Sequence, residues 1–181
     1  QSLLRSTALD FARARLPVAT LRRLRDTSDA VGFDRHAWQE MAGLGWAGML
    51  ISEELGGNAY GYFGLGVVLQ SLGRTLAATP LHSTVALSGS ALALAGEHPA
   101  ARELLGRIAA GEALAALAFE ESAVHAPHHC ATTARRTGDG WTLNGTKRFV
   151  LDGHVADVLL VTARTGGSAT DPSGLSLFLL D

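Results

Sequence analysis

The sequence predicts an α+β protein, with an N-terminal all-α helical bundle domain followed by an antiparallel, β-barrel-like domain. Two observations predict it. Apolar residues in the first part of the chain recur at spacings of three and four, the period of an amphipathic helix. In the second part they form short runs separated by turn residues, and Asn144-Gly145 favours a β-hairpin most strongly. The change of period places an N-terminal α-helical domain at 1–112 and a β domain at 113–181.

Proline, glycine and capping residues define the predicted helices. Asp34 is a favoured N-cap, and Pro99 is favoured in the first turn of a helix. Residues 81–95 are apolar nearly all round, which predicts a helix buried within a bundle. In chain order we predict a helix over residues 1–16, a short helix or loop over 18–33, a helix capped by Asp34 and closed by Gly43 and Gly45, and helices over 65–76, 81–95 and 99–111.

The β domain is organised around residues 141–154, which have the pattern strand, turn, strand, turn. Asn144 and Gly145 both tolerate positive φ, so the chain is expected to turn there and return through residues 147–151. Asp152-Gly153 then breaks the second strand. The predicted strands are residues 113–119, 132–136, 141–144, 147–151, 158–164 and 175–180.

Composition excludes several classes of protein. Of 181 residues, 47% are apolar and 18% are charged, which is typical of a folded globular chain rather than a disordered one. The formal charge of −2 gives no reason to expect a nucleic acid or an anionic membrane as partner. No apolar run approaches the roughly 18 residues that span a bilayer. The single cysteine, Cys130, fits a cytoplasmic location.

One cluster, His125, His128, His129 and Cys130, has the composition of a metal site. A zinc site needs three or four converging ligands, usually including a second pair further along the chain. No such second pair is present, and Pro127 favours a loop. A solvated loop is therefore the favoured interpretation, and we predict no metal.

Two pairs of adjacent carboxylates, Glu53-Glu54 and Glu120-Glu121, are candidates for acid–base chemistry. Neighbours in a strand point to opposite faces, so such a pair rarely acts on one substrate, and strand-end or loop charge is the favoured interpretation. Lys147-Arg148 is likewise interpreted as one inward partner and one solvated charge. Residue chemistry alone therefore identifies no catalytic group.

Several segments, taken together, resemble the acyl-CoA dehydrogenase family. Their order and spacing match across nearly the whole chain, so the chain is identified as a member of that family. The first resembles the loop after the family's early helices, the second the passage into the β domain, and the others the middle-domain hairpin and the strand after it. They are residues 46–57 (WAGMLISEELGG), 106–112 (GRIAAGE), 139–147 (DGWTLNGTK), and 149–153 (FVLDG) with Ala156-Asp157.

The resemblance implies an FAD-dependent oxidoreductase of fatty acid metabolism that converts an acyl-CoA thioester to the 2,3-enoyl thioester. In such enzymes a carboxylate removes the α-proton and the flavin accepts the β-hydride. The family's catalytic glutamate belongs to a third domain, a helical bundle, which we expect to follow Asp181. The chain starts at Gln1 and stops straight after a strand pattern, so we expect a fragment that is inactive alone and contains no nameable catalytic base.

The resemblance also implies the cofactor-binding segments, and both depart from the family pattern. The usual Thr-Glu-Pro becomes Glu120-Glu121-Ser122, and the Ser-Asp pair that follows becomes Ala126-Pro127 if there is no gap. The usual Trp-Ile-Thr becomes residues 149–151, Phe-Val-Leu. The implied FAD-binding residues are Phe119, Glu120, Glu121, Ser122, His125, Ala126, Phe149, Val150 and Leu151.

These departures resemble divergent bacterial members, some of which are the smaller partner in two-subunit dehydrogenases. A homo-oligomer, or a heteromer with a second dehydrogenase subunit, is therefore expected, with electron-transfer flavoprotein as electron acceptor. Two alternatives stay open. The first is a non-catalytic, flavin-free partner subunit of a dehydrogenase. The second is a flavin monooxygenase or oxidase on the same fold.

Overall fold

Helices occupy the first part of the chain in the computed structural model, which describes residues 2–181. The chain divides into two compact units, one ending at Leu114 and one comprising Ala115–Asp181, and each is described by itself. The predicted order, helices and then strands, is confirmed. The helices are α1 (Ser2–Arg15), α2 (Val18–Asp26), α3 (Arg35–Gly43), α4 (Tyr62–Gly73), α5 (Ser90–Leu94) and α6 (Pro99–Ala109), with a 3-10 turn at Glu53–Leu55 and a π-helical segment at Leu81–Gly89.

The capping residues act as their chemistry predicts. The Asp34 carboxylate accepts hydrogen bonds from the backbone N–H groups of His36 and Ala37, which would otherwise lack a partner at the start of α3. Pro99 stands in the first turn of α6, where its missing N–H costs nothing. Both helix starts were therefore predictable from local sequence.

The helix predicted over residues 81–95 divides into two kinds of helix. Leu81–Gly89 is π-helical, and α5 continues it from Ser90. π-Helices are rare and are usually short interruptions of an α-helix. The prediction of a buried helix is confirmed at Leu81, Val85 and Leu92, which are each at most 1% exposed, but it is wrong at the end, where Leu94 is 88% exposed.

Large apolar side chains build the core of the helical unit. Trp46 is 2% exposed, and its ring packs edge-to-face on Phe11 with centroids 5.1 Å apart. Trp38 is also buried and donates from Nε1 to the carbonyl oxygen of Gly111 at 3.1 Å. Because Gly111 lies just past α6, this hydrogen bond joins α3 to the end of the unit.

The second unit is a five-stranded mixed sheet. Strand β4 lies at its centre, pairing with β5 along one edge and with β1 and then β2 along the other. The pairings of β4 with β1 and β2 are parallel, and those of β4 with β5 and of β2 with β3 are antiparallel. The strands are β1 (Ala115–Ala118), β2 (Thr133–Thr137), β3 (Gly140–Asn144), β4 (Val158–Arg164) and β5 (Leu175–Leu180).

The expectation of a purely antiparallel sheet is wrong at the two parallel pairings of β4. Long connections separate β4 from both partners, so either direction of pairing is sterically open to the chain. The tight hairpin joins β2 to β3 through Gly138-Asp139, because Thr137 pairs with Gly140 in the register. Gly138 has φ +60°, the left-handed conformation that such a turn requires.

The strand predicted over residues 147–151 is also wrong. That segment lies outside the strands, and Phe149 has φ +54°, which no β-strand accommodates. The side chain of Lys147 turns inward, and the backbone N–H of Arg148 donates to Glu120 instead of to a neighbouring strand. Asn144-Gly145 therefore ends β3 without forming a hairpin.

Within residues 2–181, no helix has both the length and the apolar character needed to cross a membrane.

Candidate functional site

The two segments implied in cofactor binding lie side by side in the second unit. Residues 119–121 follow β1, and the carbonyl oxygen of Glu120 accepts a hydrogen bond from the backbone N–H of Arg148 at 2.8 Å. Lys147 Nζ lies 3.4 Å from the carbonyl oxygen of Phe119. These contacts bring together two parts of the chain that are more than 25 residues apart.

Lys147 and Glu121 form a buried ion pair at this junction. Lys147 Nζ donates to Glu121 Oε1 at 2.7 Å, and the two side chains are only 8% and 12% exposed. The prediction that one residue of Lys147-Arg148 has an inward partner is confirmed. The interpretation of Glu121 as strand-end or loop charge is wrong, because its carboxylate is enclosed by donors.

Four donors stabilise the charged form of Glu121. Burial alone would raise the pKa of this carboxyl, but hydrogen bonds from Lys147, from the Thr132 hydroxyl and from the backbone N–H groups of Ala131 and Thr132 outweigh it. The pKa of Glu121 is therefore held well below its usual value. A carboxylate kept ionised in this way cannot serve as a general acid near neutral pH.

Glu120 faces a different partner. Its carboxylate pairs with Nδ1 of His125, and it is 15% exposed whereas the histidine side chain is 74% exposed. The His125 ring also meets the Phe119 ring edge-on, with centroids 6.1 Å apart. Phe119, Glu120 and His125 are thus brought together, and the carboxylate that replaces the family's usual hydroxyl is turned towards an imidazole.

Phe149 combines backbone strain with exposure. Its φ of +54° lies in the left-handed region, which costs a non-glycine residue about 1–3 kcal/mol. The side chain is nevertheless 69% exposed, so the folded chain gains little burial in return. A strained backbone that presents an aromatic ring to solvent is typical of a ligand-contacting position.

The remaining residues implied in cofactor binding are less closely joined to this cluster. Ser122 Oγ donates to the carbonyl oxygen of Val124 within its own turn. The carbonyl oxygen of Ala126 accepts from the backbone N–H of His129 at 2.8 Å. Leu151 is 53% exposed and lies beyond Phe149. These three residues shape the loops around the cluster.

Val150 lines a cavity of about 570 Å³ beside the sheet. Most of the lining is apolar, and Lys147, Thr132 and His154 are its polar residues. This chemistry suits an aliphatic chain or an aromatic ring rather than a phosphate. The apolar lining residues are Ala118, Leu143, Val150, Leu159, Val161 and Leu180.

Sequence reasoning missed several residues that support the site. Cys130 Sγ and Thr162 Oγ1 lie 3.3 and 3.2 Å from Lys147 Nζ, and Thr132 donates to Glu121. Arg164, 6% exposed, ends β4 and holds the neighbouring loop through backbone carbonyl groups. One indication was available, because Arg164 is the only charged residue in a strand of seven. The partners of Lys147 had no comparable local indication.

The histidines predicted to lie in a solvated loop do so. His125, His128 and His129 are exposed in the segment between β1 and β2, and Cys130 is buried. In the part of the chain that the structure describes, no three His, Cys, Asp or Glu side chains converge as a metal site requires.

Comparisons with known proteins match both units. The family description "Acyl-CoA dehydrogenase, N-terminal domain" matches residues 1–112, and "Acyl-CoA dehydrogenase, middle domain" matches residues 117–181. The chain is 34% identical over 149 residues to "Acyl-CoA dehydrogenase FadE27" of Mycobacterium tuberculosis, which covers 82% of this chain and 37% of that protein.

Two solved structures have the same fold over nearly the whole chain. A variant of the "Tcur3481-Tcur3483 steroid ACAD" gives a TM-score of 0.82 at 32% identity, covering 99% of this chain and 47% of that one. The "ChsE4-ChsE5 complex from Mycobacterium tuberculosis" gives a TM-score of 0.79 at 29% identity, covering 99% and 46%. The chain therefore spans less than half the length of these relatives.

Proposed function

Because the chain belongs to the acyl-CoA dehydrogenase family, whose members are flavoprotein oxidoreductases of fatty acid metabolism, we propose that it is part of an FAD-dependent enzyme. The proposed reaction is the α,β-dehydrogenation of an acyl-CoA thioester to the 2,3-enoyl-CoA. One observation supports this assignment above all others. The segments at 119–126 and 147–151, which are far apart in sequence, are joined by the backbone hydrogen bond from Arg148 to Glu120, next to the exposed Phe149.

The residues at this site fit a flavin. Phe149 offers an exposed aromatic face, and Val150 and Leu151 extend it with apolar surface. The carboxylate of Glu120 would repel the anionic phosphates of FAD if it faced them unpaired, but it is bonded to Nδ1 of His125 instead. The His125 side chain is 74% exposed, and in this proposal its Nε2 contacts a phosphate. When bound, FAD supplies the hydride acceptor of the reaction.

The protein's own residues bind and orient in this proposal. Phe149 packs beside the flavin ring system, and residues 120–126 donate hydrogen bonds to the flavin and its phosphates. Glu121 is not a proton donor in this proposal, because its hydrogen-bond donors keep it ionised, and the same lowered pKa makes it a weak base. No residue of the 181 is assigned as the catalytic base. We also propose that the boundary between the N-terminal α-helical domain and the middle β domain lies at 112/113.

The proposed partners follow from the relatives. Two of the similar structures carry paired names, Tcur3481-Tcur3483 and ChsE4-ChsE5. We infer that this protein also assembles with a second dehydrogenase subunit or with copies of itself. Acyl-CoA is the proposed substrate, electron-transfer flavoprotein the proposed electron acceptor, and the cytoplasm the proposed location.

A second candidate function is that of a flavin-free partner subunit. It is favoured by the carboxylate of Glu120, which stands where the family usually has a neutral hydroxyl and which needs a protonated His125 to be neutralised. Each neutral hydrogen bond lost from the usual pattern weakens binding by about 0.5–1.5 kcal/mol. Such a subunit would shape the interface of a catalytic partner that holds all the flavin.

The visible absorption spectrum of the desalted full-length protein separates the two functions. The proposed enzyme shows a flavin band that is bleached by added acyl-CoA. A protein that stays colourless with added FAD, and that co-purifies with a flavin-containing subunit, would establish the second function. Oxygen consumption in the absence of acyl-CoA would instead indicate an oxidase.

A matched pair of variants tests the role of Phe149. Phe149→Ala in the full-length protein is expected to lower flavin content, because it removes the aromatic wall. Phe63→Ala is the control, because Phe63 is similarly exposed at 65% and lies in α4 of the other unit. Equal flavin content in both variants would contradict the assigned role.

A further inference from the structure

Lys147 is surrounded by four polar atoms from three separate parts of the second unit. Its Nζ lies 2.7 Å from Glu121 Oε1 and 3.2 Å from Thr162 Oγ1. It also lies 3.3 Å from Cys130 Sγ and 3.4 Å from the carbonyl oxygen of Phe119. One ammonium group therefore joins the end of β1, the loop before β2 and the middle of β4.

Glu121, the partner of Lys147, also binds the residues just before β2. Its carboxylate accepts hydrogen bonds from the backbone N–H groups of Ala131 and Thr132 at 2.6 and 3.0 Å. The Thr132 hydroxyl donates to it as well, at 2.6 Å. The loop that contains His125 thus begins and ends on one carboxylate, and Lys147 holds that carboxylate in place.

The ion pair is connected through the backbone to the residue that bears the exposed aromatic ring. Arg148 follows Lys147, and its backbone N–H is bonded to Glu120, the neighbour of Glu121. Phe149 comes next, in the left-handed conformation and 69% exposed. On its other side, Gly153 donates to the carbonyl oxygen of Val150. The unfavourable backbone of Phe149 is therefore fixed from both directions.

Stability alone does not account for this arrangement. Replacing a buried ion pair by apolar residues of similar size is often neutral or stabilising. A strained residue that leaves an aromatic side chain in solvent also contributes nothing to folding. Both features are explained if the pair serves the site beside it.

We propose that Lys147 and Glu121 are positioning residues, which hold Phe149 and the loop at 120–131 in the arrangement that receives the flavin. This inference rests on the proposed function. The pair does not touch the reacting atoms. It acts by fixing, before binding, the segments that contact the cofactor, so that less conformational freedom is lost when FAD binds.

The test compares FAD affinity with folding in the full-length protein. Lys147→Met leaves the Glu121 carboxylate buried without its cation, so both thermal stability and FAD affinity are expected to fall. The double variant Glu121→Gln/Lys147→Met removes both charges and is expected to melt near the wild-type temperature. Its dissociation constant for FAD is nevertheless expected to rise about tenfold or more, because the segments are no longer fixed.

An exposed ion pair provides the control. Arg15 pairs with Glu40 in the helical unit, where the side chains are 45% and 31% exposed. Arg15→Met/Glu40→Gln removes the same charges and is expected to leave FAD affinity unchanged. Alkylation of Cys130 gives a readout that does not depend on flavin, since the buried thiol should react faster only in the variants of the Lys147 pair.

The outcomes are distinguishable. A wild-type protein that binds no FAD would refute the proposed function, and the positioning role with it. A wild-type protein that binds FAD, together with a folded double variant of equal affinity, would refute the positioning role alone. The same holds if affinity changes only in proportion to the loss of folded protein across the variants.

Discussion

Arg164 Nε donates to the carbonyl oxygen of Cys130 at 3.1 Å, at the end of β4. The other guanidinium nitrogens donate to carbonyl oxygens of two loops, including His128 and Asp171 at 3.0 Å and Ser173 at 2.8 Å. The buried guanidinium group is thus hydrogen-bonded by backbone carbonyl oxygens in place of water. The loop before β2 and the loop before β5 are consequently held by one side chain.

Replacing Arg164 by Met should therefore destabilise the protein strongly. Several buried carbonyl groups would lose their donor, and we expect the free energy of unfolding to fall by about 2–4 kcal/mol. Denaturant unfolding measures the change. Arg135→Met is the control, because Arg135 is exposed on β2, and it should change stability by less than about 0.5 kcal/mol. Similar losses in the two variants would contradict the account.

Glu121 predicts a specific pH dependence of stability. Its pKa is lower in the folded state than in the unfolded chain, so its contribution is fully present above the unfolded pKa of about 4.5. That contribution is lost as the pH falls further, because the unfolded state then binds the proton more readily. The wild type should be more stable than Glu121→Gln at pH 7, and the difference should shrink below about pH 4. Denaturant titrations at pH 7 and below about pH 4 measure both proteins. A stability difference between wild type and Glu121→Gln that stays constant would show that the carboxylate is not ionised as described.

Phe149→Gly should uncouple stability from cofactor binding. Glycine adopts positive φ without the steric cost, so the free energy of unfolding should rise by about 1 kcal/mol. Flavin content should fall, because the aromatic ring is gone. Ala59→Gly relieves similar strain at φ +48° in the helical unit, and it should gain stability without losing flavin. Loss of stability in Phe149→Gly alone would mean that the ring packs against the protein.

Replacing two buried serines by alanine should change stability in opposite directions. Ser88 Oγ, in the π-helical segment, has no hydrogen-bond partner among residues 2–181. Ser88→Ala should therefore raise the free energy of unfolding by about 1 kcal/mol. Ser71 is equally buried, but its Oγ donates to the carbonyl oxygen of Val67 at 2.7 Å, so Ser71→Ala should lower stability by about as much. Thermal unfolding measures both variants. Melting temperatures that shift in the same direction would contradict the assigned hydrogen bonding.

The parts of the fold that depend on interactions between near neighbours in the chain could be predicted from the sequence. Asp34 and Pro99 start helices because their effects act within one turn, and the apolar run Val158–Arg164 forms the strand that was predicted. The parallel pairings of β4 could not be predicted in the same way. They join residues 43 and 31 positions apart, and no periodicity in either strand records the direction of its partner.

The candidate site was only partly predictable for the same reason. The resemblance led to the segments at 119–126 and 149–151. It did not reveal that Lys147 pairs with Glu121, because the two residues are 26 positions apart. The left-handed conformation of Phe149 was also hidden, since phenylalanine has no local preference for it and only the surrounding contacts impose it.

Strand β5 has a consequence for how this protein behaves in solution. Its sequence, LSLFLL, contains no charged residue, and within residues 2–181 it pairs with β4 alone. Leu179 and Leu180 are 38% and 48% exposed on it. An uncharged strand edge is a template for aggregation, so this edge favours association between copies of the protein. A lysine in place of an exposed leucine on β5 should therefore raise the soluble yield.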